Sequence, residues 1–179
     1  MTITTYTLAI ETFAPVLTTL STLLDKGAAH ARAKGTDLSA LVAARLAPDM
    51  FPLSVQVKLA CHHAKDAAAR LTGATPSKPE NEELTFDELK ALIEKTVSYL
   101  RGMSANAFVG AEDRQIEIAL QDNRVFKSNG IELLRDWSIP HFYFHVVTAY
   151  DILRHNGVVI GKRDYMNHIG RYVHQRADR

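Results

Sequence analysis

Apolar residues recur at alternating steps of four and three along four long stretches of the chain, the pattern of helices that bury one face. Tyr6, Ile10, Phe13, Leu17, Leu20 and Leu24 form the first stripe. Pro15 lies inside it and predicts a bend rather than an end. Gly27 and Gly35 loosen the chain after it, and Asp37 is placed to cap a short helix over 38–46. A second long helix is expected from about Pro52 to Leu71, with Leu53, Val57, Ala60, Ala64, Ala67 and Leu71 facing inward. Its small residues allow a neighbour to approach closely. Residues 73–84 carry two prolines and a cluster of charges and read as a linker. Thr85 and Glu88 then have the spacing of a capping box, and Phe86, Leu89, Ile93, Val97, Leu100 and Met103 line a third helix.

The period changes once. From Gln115 to Leu120 polar and apolar residues alternate, Asp122-Asn123 supplies turn chemistry, and 124–127 can return as a partner strand. Two strands alone are marginal, so this hairpin must lean on helices. Asn129-Gly130 closes it, and 131–137 read as a helical lead-in. The fourth long helix is expected to start with Ser138 as cap and Pro140 in its first turn, and to stop at Asn156-Gly157. The predicted fold is all-α: a four-helix bundle, with a small β-hairpin inserted before the last long helix. Residues 1–179 make one domain, of which 160–179 read as an extended, frayed tail.

Composition narrows the class. With 179 residues, 46% of them apolar and 23% charged, the chain suits one globular domain. Lys+Arg number 21 against 20 Asp+Glu, a net charge of +1, which argues against a nucleic-acid surface or a polybasic membrane arm. No uninterrupted apolar run reaches the length of a membrane span, and no basic, apolar leader opens the chain. The single cysteine, Cys61, excludes an internal disulfide and suits a reducing, cytoplasmic setting.

The chemistry lies in the histidines, eight in all. Projected at 100° per residue, His141, His145, Thr148, Ile152 and His155 form one stripe on the fourth helix. His145 falls in the middle of the apolar face beside Phe142, Ala149 and Leu153. On the second helix His63 sits on the shoulder of the apolar face with Gln56 on the same side, whereas His62 points away and is expected in solvent. If the two helices are neighbours, His63, His141 and His145 converge, and three imidazoles with an open position make a water-activating metal site. The spacing equally permits a pair of hydrogen-bonded histidines near a helix end. A buried His145 needs a partner in either case: a metal, a hydroxyl such as Tyr6 or Thr148, or another histidine. Cys61, His30, His155, His168 and His174 read as packing or surface residues. Phosphate loops, serine-nucleophile elbows and paired-cysteine motifs are absent from the sequence.

Two segments carry a resemblance. HFYFHVVTAYDILRHNGVVIGKRDYM (141–166) and LAPDMFPLSVQVKLACHHAKDAAARL (46–71) resemble an uncharacterised bacterial branch of the DinB/YfiT-like helical-bundle superfamily. The resemblance extends over about residues 5–167. It implies a bundle assembled as a homodimer. It also implies a divalent metal, zinc or nickel, held by one histidine of the second helix and two spaced by four on the last: His63, His141 and His145 here. Relatives include thiol-dependent transferases, so a low-molecular-weight thiol or other small molecule is an expected ligand, and hydrolases. The expected function is therefore a metal-dependent transferase or hydrolase, with Thr148 and Gln56 orienting the nucleophile and Asp66 the nearest acidic candidate for a base. The alternative is a non-catalytic dimer that binds a small ligand or partner without metal.

Overall fold

The computed structural model describes residues 3–79 and 82–174. Four long helices form the bundle: α1 (Thr5–Lys34), α3 (Leu53–Thr72), α4 (Phe86–Arg101) and α6 (Ile139–His155). A short α2 (Leu38–Ala43) follows α1 with Asp37 accepting from the Ser39 amide at 2.9 Å, the expected cap. The Thr85–Glu88 capping box opens α4. The expected linker and tail also take in residues 80–81 and 175–179, which lie outside the described residues.

The core follows from the four apolar stripes. Phe13, Leu17, Leu20 and Leu24 of α1, Leu89, Ile93 and Leu100 of α4, and Phe142, Val146 and Leu153 of α6 are all buried. Phe13 meets Phe142 edge to face at 4.8 Å. On α3 the buried face is built from Ala60, Ala64, Ala67 and Ala68, and α3 packs most extensively against α6. Small side chains on a buried helix face let its neighbours pack close. α1 is long and apolar enough to cross a membrane by length and composition, but its apolar face is spent on this core.

α1 is longer than its sequence suggests. It runs through Pro15 and through Gly27 to a left-handed stop at Gly35 (φ 64°). Gly27 does not loosen the helix; a Cβ there would lie 3.0 Å from Leu153 and 3.2 Å from Leu41, so the glycine serves close packing.

The hairpin pairs β1 (Ile116–Ala119) with β2 (Val125–Ser128) in the expected antiparallel register. Asp122 and Asn123 both take positive φ (62° and 59°), the double left-handed turn that favours these residues. Phe126 of β2 packs on Trp137 at 4.8 Å, so the hairpin leans on the segment that leads into α6.

That segment starts elsewhere than expected. Ser138 is helical (φ −71°, ψ −47°) and makes no cap bond. The entry is Asn129, whose side chain accepts from the Glu132 amide at 3.0 Å while the Glu132 carboxylate accepts from the Asn129 amide at 2.9 Å. The chain then runs through α5 (Gly130–Glu132) and a widened π-helical turn, Leu133–Ser138, in which the Ile139 amide reaches the Leu134 carbonyl. Gly130 is obligatory, since a Cβ would meet the Ala111 carbonyl oxygen at 1.9 Å. Ser138, two residues before Pro140, reads as a cap in the sequence because the π turn interrupts the 3.6-residue pattern there.

Residues 160–174, expected to be extended, instead fold back as α7 (Lys162–Tyr165) and a 3₁₀ turn (Asn167–Tyr172). Asp164 pairs with Lys26, and Arg171 with Glu11, tying both turns to α1. Tyr165 covers Tyr150 of α6 at 5.8 Å.

The correction at the α6 entry is testable by chemical denaturation. Asn129→Ala removes a cap and is expected to cost about 0.5–2 kcal/mol. Ser138→Ala removes a buried hydroxyl with no partner among the described residues and is expected to be neutral or mildly stabilising. The reverse order of the two would restore Ser138 as the cap.

Candidate functional site

The α3–α6 seam carries the histidines. His141 and His145 stand one turn apart on α6, and His63 reaches them from α3. The His63 ring lies 4.8 Å from that of His141 and 5.3 Å from that of His145, near-parallel to both (24° and 11°). The close packing of α3 on α6 brings the rings together. Trp137 closes one side of the cluster, 4.5 Å from His141, and Phe144 stands edge-on to His145 at 5.3 Å.

Two of the rings are anchored through Nδ1. His141 Nδ1 lies 2.7 Å from the Trp137 carbonyl oxygen, which can only accept, so this nitrogen carries the proton. His145 Nδ1 lies 2.8 Å from Gln56 Oε1. In both rings the proton sits on Nδ1 and the Nε2 lone pair is free. His145 is buried, and the partner it required is Gln56 rather than the Tyr6 or Thr148 hydroxyl or another histidine. Tyr6 packs on Phe108 instead, and the Thr148 hydroxyl donates to the Phe144 carbonyl at 2.7 Å.

His63 and His145 are electrostatically held neutral. Burial first, and then the neighbouring imidazoles His141, His145 and His62, push His63 down to about 3. Burial, with His141 and His62, lowers His145 to about 4. A second positive charge in so small a volume is unfavourable, and little water is present to screen it.

Several expectations change. His62 is half-buried rather than solvated, with its ring 5.5 Å from His63, and its Nδ1 is sealed from solvent without a partner among the described residues. Burial lowers its pKa, opposed by the Asp66 carboxylate. Asp66 is not a free base: its carboxylate pairs with Arg70 at 2.8 Å, and Arg70 also donates to the Glu117 carbonyl. Gln56 and Thr148 are both buried and both committed to protein partners, which leaves neither placed to orient a nucleophile. Cys61 is a core residue as expected, its thiol pushed up to about 12 by burial.

The donor chemistry suits a divalent ion of borderline softness: neutral imidazoles, two of them already fixed by outer hydrogen bonds. The rings as they lie are stacked, so their in-plane lone pairs run side by side. Among the described residues no three His, Cys, Asp or Glu side chains surround a single point. A cavity of about 870 Å³ lies elsewhere, at the α2–α3–α4 end, where Val42, Phe51, Val55 and Phe86 line it.

Residues 5–166 match the family described as a domain of unknown function, DUF1993. Among solved structures, the chain is similar to a DinB family member protein from Shewanella denitrificans whose crystal structure was determined at 1.83 Å. The two share 40% sequence identity over 90% of each chain, with a TM-score of 0.82. No curated protein matches the chain.

The lowered histidine pKa values have a consequence for stability. In the unfolded chain these rings take up protons near their ordinary value of 6.5, whereas in the folded chain His63 and His145 resist until about 3 and 4. Between those limits the unfolded state binds more protons. The stabilisation is therefore complete above pH 6.5 and is lost as pH falls toward 4. Urea denaturation at pH 7.5 and pH 5 should show a larger loss for wild type than for His63→Gln. Equal losses would mean that the cluster is not held neutral.

Proposed function

The chain belongs to the DUF1993 family, with the fold of the DinB-like helical bundles, and from that premise we propose that it binds a divalent metal through His63, His141 and His145. One observation carries the proposal. The His63 ring of α3 lies 4.8 Å from that of His141 and 5.3 Å from that of His145, and the two on α6 have their Nδ1 protons fixed on protein acceptors. That is the arrangement in which a histidine is ready to ligate through Nε2. Zinc or nickel suits an all-imidazole set. When bound there, such an ion would lower the pKa of a water or of a low-molecular-weight thiol, which is the chemistry of a metal-dependent hydrolase or thiol transferase.

The chain's own residues supply the rest of the site. Trp137 and Phe144 shield the rings and make their surroundings weakly polar. The Trp137 carbonyl and Gln56 hold two rings in one tautomer. His62, half-buried beside His63, adds a fourth imidazole at the edge of the cluster. The single buried thiol fits a cytoplasmic protein. Homodimer formation through α6 is the second part of the reading, since Phe144 and Val147 stay exposed on it (57% and 39%).

Thermal melts test the metal. Zinc is expected to raise the melting temperature of wild type and chelator to reverse the rise, because a ligand that binds only the folded state stabilises it. His145→Ala should show no response to either. A wild type indifferent to zinc, nickel and chelator would end the metal reading. Light scattering at micromolar concentration should report a dimer, and a monomer would remove the assembly.

A further inference from the structure

Gln56 is held at both ends of its side-chain amide. Its Nε2–H donates to the Phe51 carbonyl at 3.0 Å, and its Oε1 accepts from His145 Nδ1–H at 2.8 Å. The side chain is 1% exposed, so water does not replace either bond. The Phe51 carbonyl is available because Phe51 precedes Pro52, where the chain is extended and α3 begins without a side-chain cap. Helical side chains lean toward the N-terminus, and Gln56 accordingly folds back over the first turn of its own helix.

This pair of bonds fixes the direction of the amide. Turned over, Oε1 would face the Phe51 oxygen, two acceptors at hydrogen-bond distance, in a site sealed from water. The Phe51 carbonyl therefore decides that Gln56 presents an acceptor to His145, and the acceptor decides which ring nitrogen holds the proton. A neutral histidine in water favours the Nε2–H form, which would spend its lone pair on the wrong side of the ring. His141 has the same tautomer imposed by a main-chain carbonyl; for His145 the task falls to a side chain.

We propose that Gln56 is the positioning residue that holds His145 in its Nδ1–H tautomer and so leaves the Nε2 lone pair free at the edge of the histidine cluster. What the lone pair is used for rests on the metal reading above; the tautomer does not.

The test is nitrogen-15 NMR of histidine-labelled, metal-free protein above pH 7, paired with zinc affinity by chelator competition. Wild type should show His145 protonated at Nδ1 and bare at Nε2. Gln56→Leu should move it toward the Nε2–H form and weaken zinc binding about 10–100-fold. Gln56→Glu, which as the neutral acid keeps an acceptor for His145 and a donor for the Phe51 carbonyl, should retain the wild-type tautomer. If Gln56→Leu does not fold, the wild-type and Gln56→Glu spectra decide. A wild-type His145 carrying its proton on Nε2, or a folded Gln56→Leu with the tautomer unchanged, overturns the proposal even if zinc binds. The expected tautomers with no zinc bound by wild type would leave Gln56 in its role and remove the metal reading alone.

Discussion

The structure depends on how closely α3 can approach α6. Positions 60, 64, 67 and 68 of α3 are buried alanines, and side chains this small let a neighbouring helix pack close. The packing of α3 on α6 brings His63 to stack on His141 and His145. Phe142 and Leu153 of α6 lie against α1, beside Phe13 and Gly27. Core and site are thus built on different sides of the same helix.

Burying polar groups in such a seam demands strict accounting of hydrogen bonds. His145 and Gln56 lie 89 residues apart in sequence and satisfy each other, while Gln56 disposes of its remaining donor on the Phe51 carbonyl. The hairpin takes part through Trp137. Phe126 supports the indole, the indole covers His141, and the Trp137 carbonyl holds the imidazole. The inserted hairpin, peripheral to the bundle, therefore buttresses one wall of the cluster.

Much of this was legible in local pattern. Four stripes of apolar residues located the four helices, alternation located the hairpin, and the 3.6-residue projection placed His145 inward and His63 within reach. The misreadings fall where the local hydrophobic pattern does not carry the answer. Gly27 looks like a breaker until Leu153 and Leu41 are seen against it. Ser138 looks like a cap until the π turn carries the helix back to Asn129. His62 lies opposite the apolar face of α3, yet that side is not open to solvent. Gln56 did leave a signal. It is a polar residue beside Leu53, Val57 and Ala60 on a buried face, and a buried amide must find partners at both ends; its position pointed to a role, but only the fold identifies His145 as the partner.

The central proposal is that the α3–α6 seam gathers three imidazoles to hold one ion. X-ray absorption at the zinc edge of protein loaded with one equivalent of zinc addresses it directly. The account predicts a first shell dominated by imidazole nitrogen at about 2.0–2.1 Å, with the multiple-scattering pattern of several histidine rings and no sulfur. A shell of oxygen alone, or sulfur at about 2.3 Å from Cys61, would contradict it.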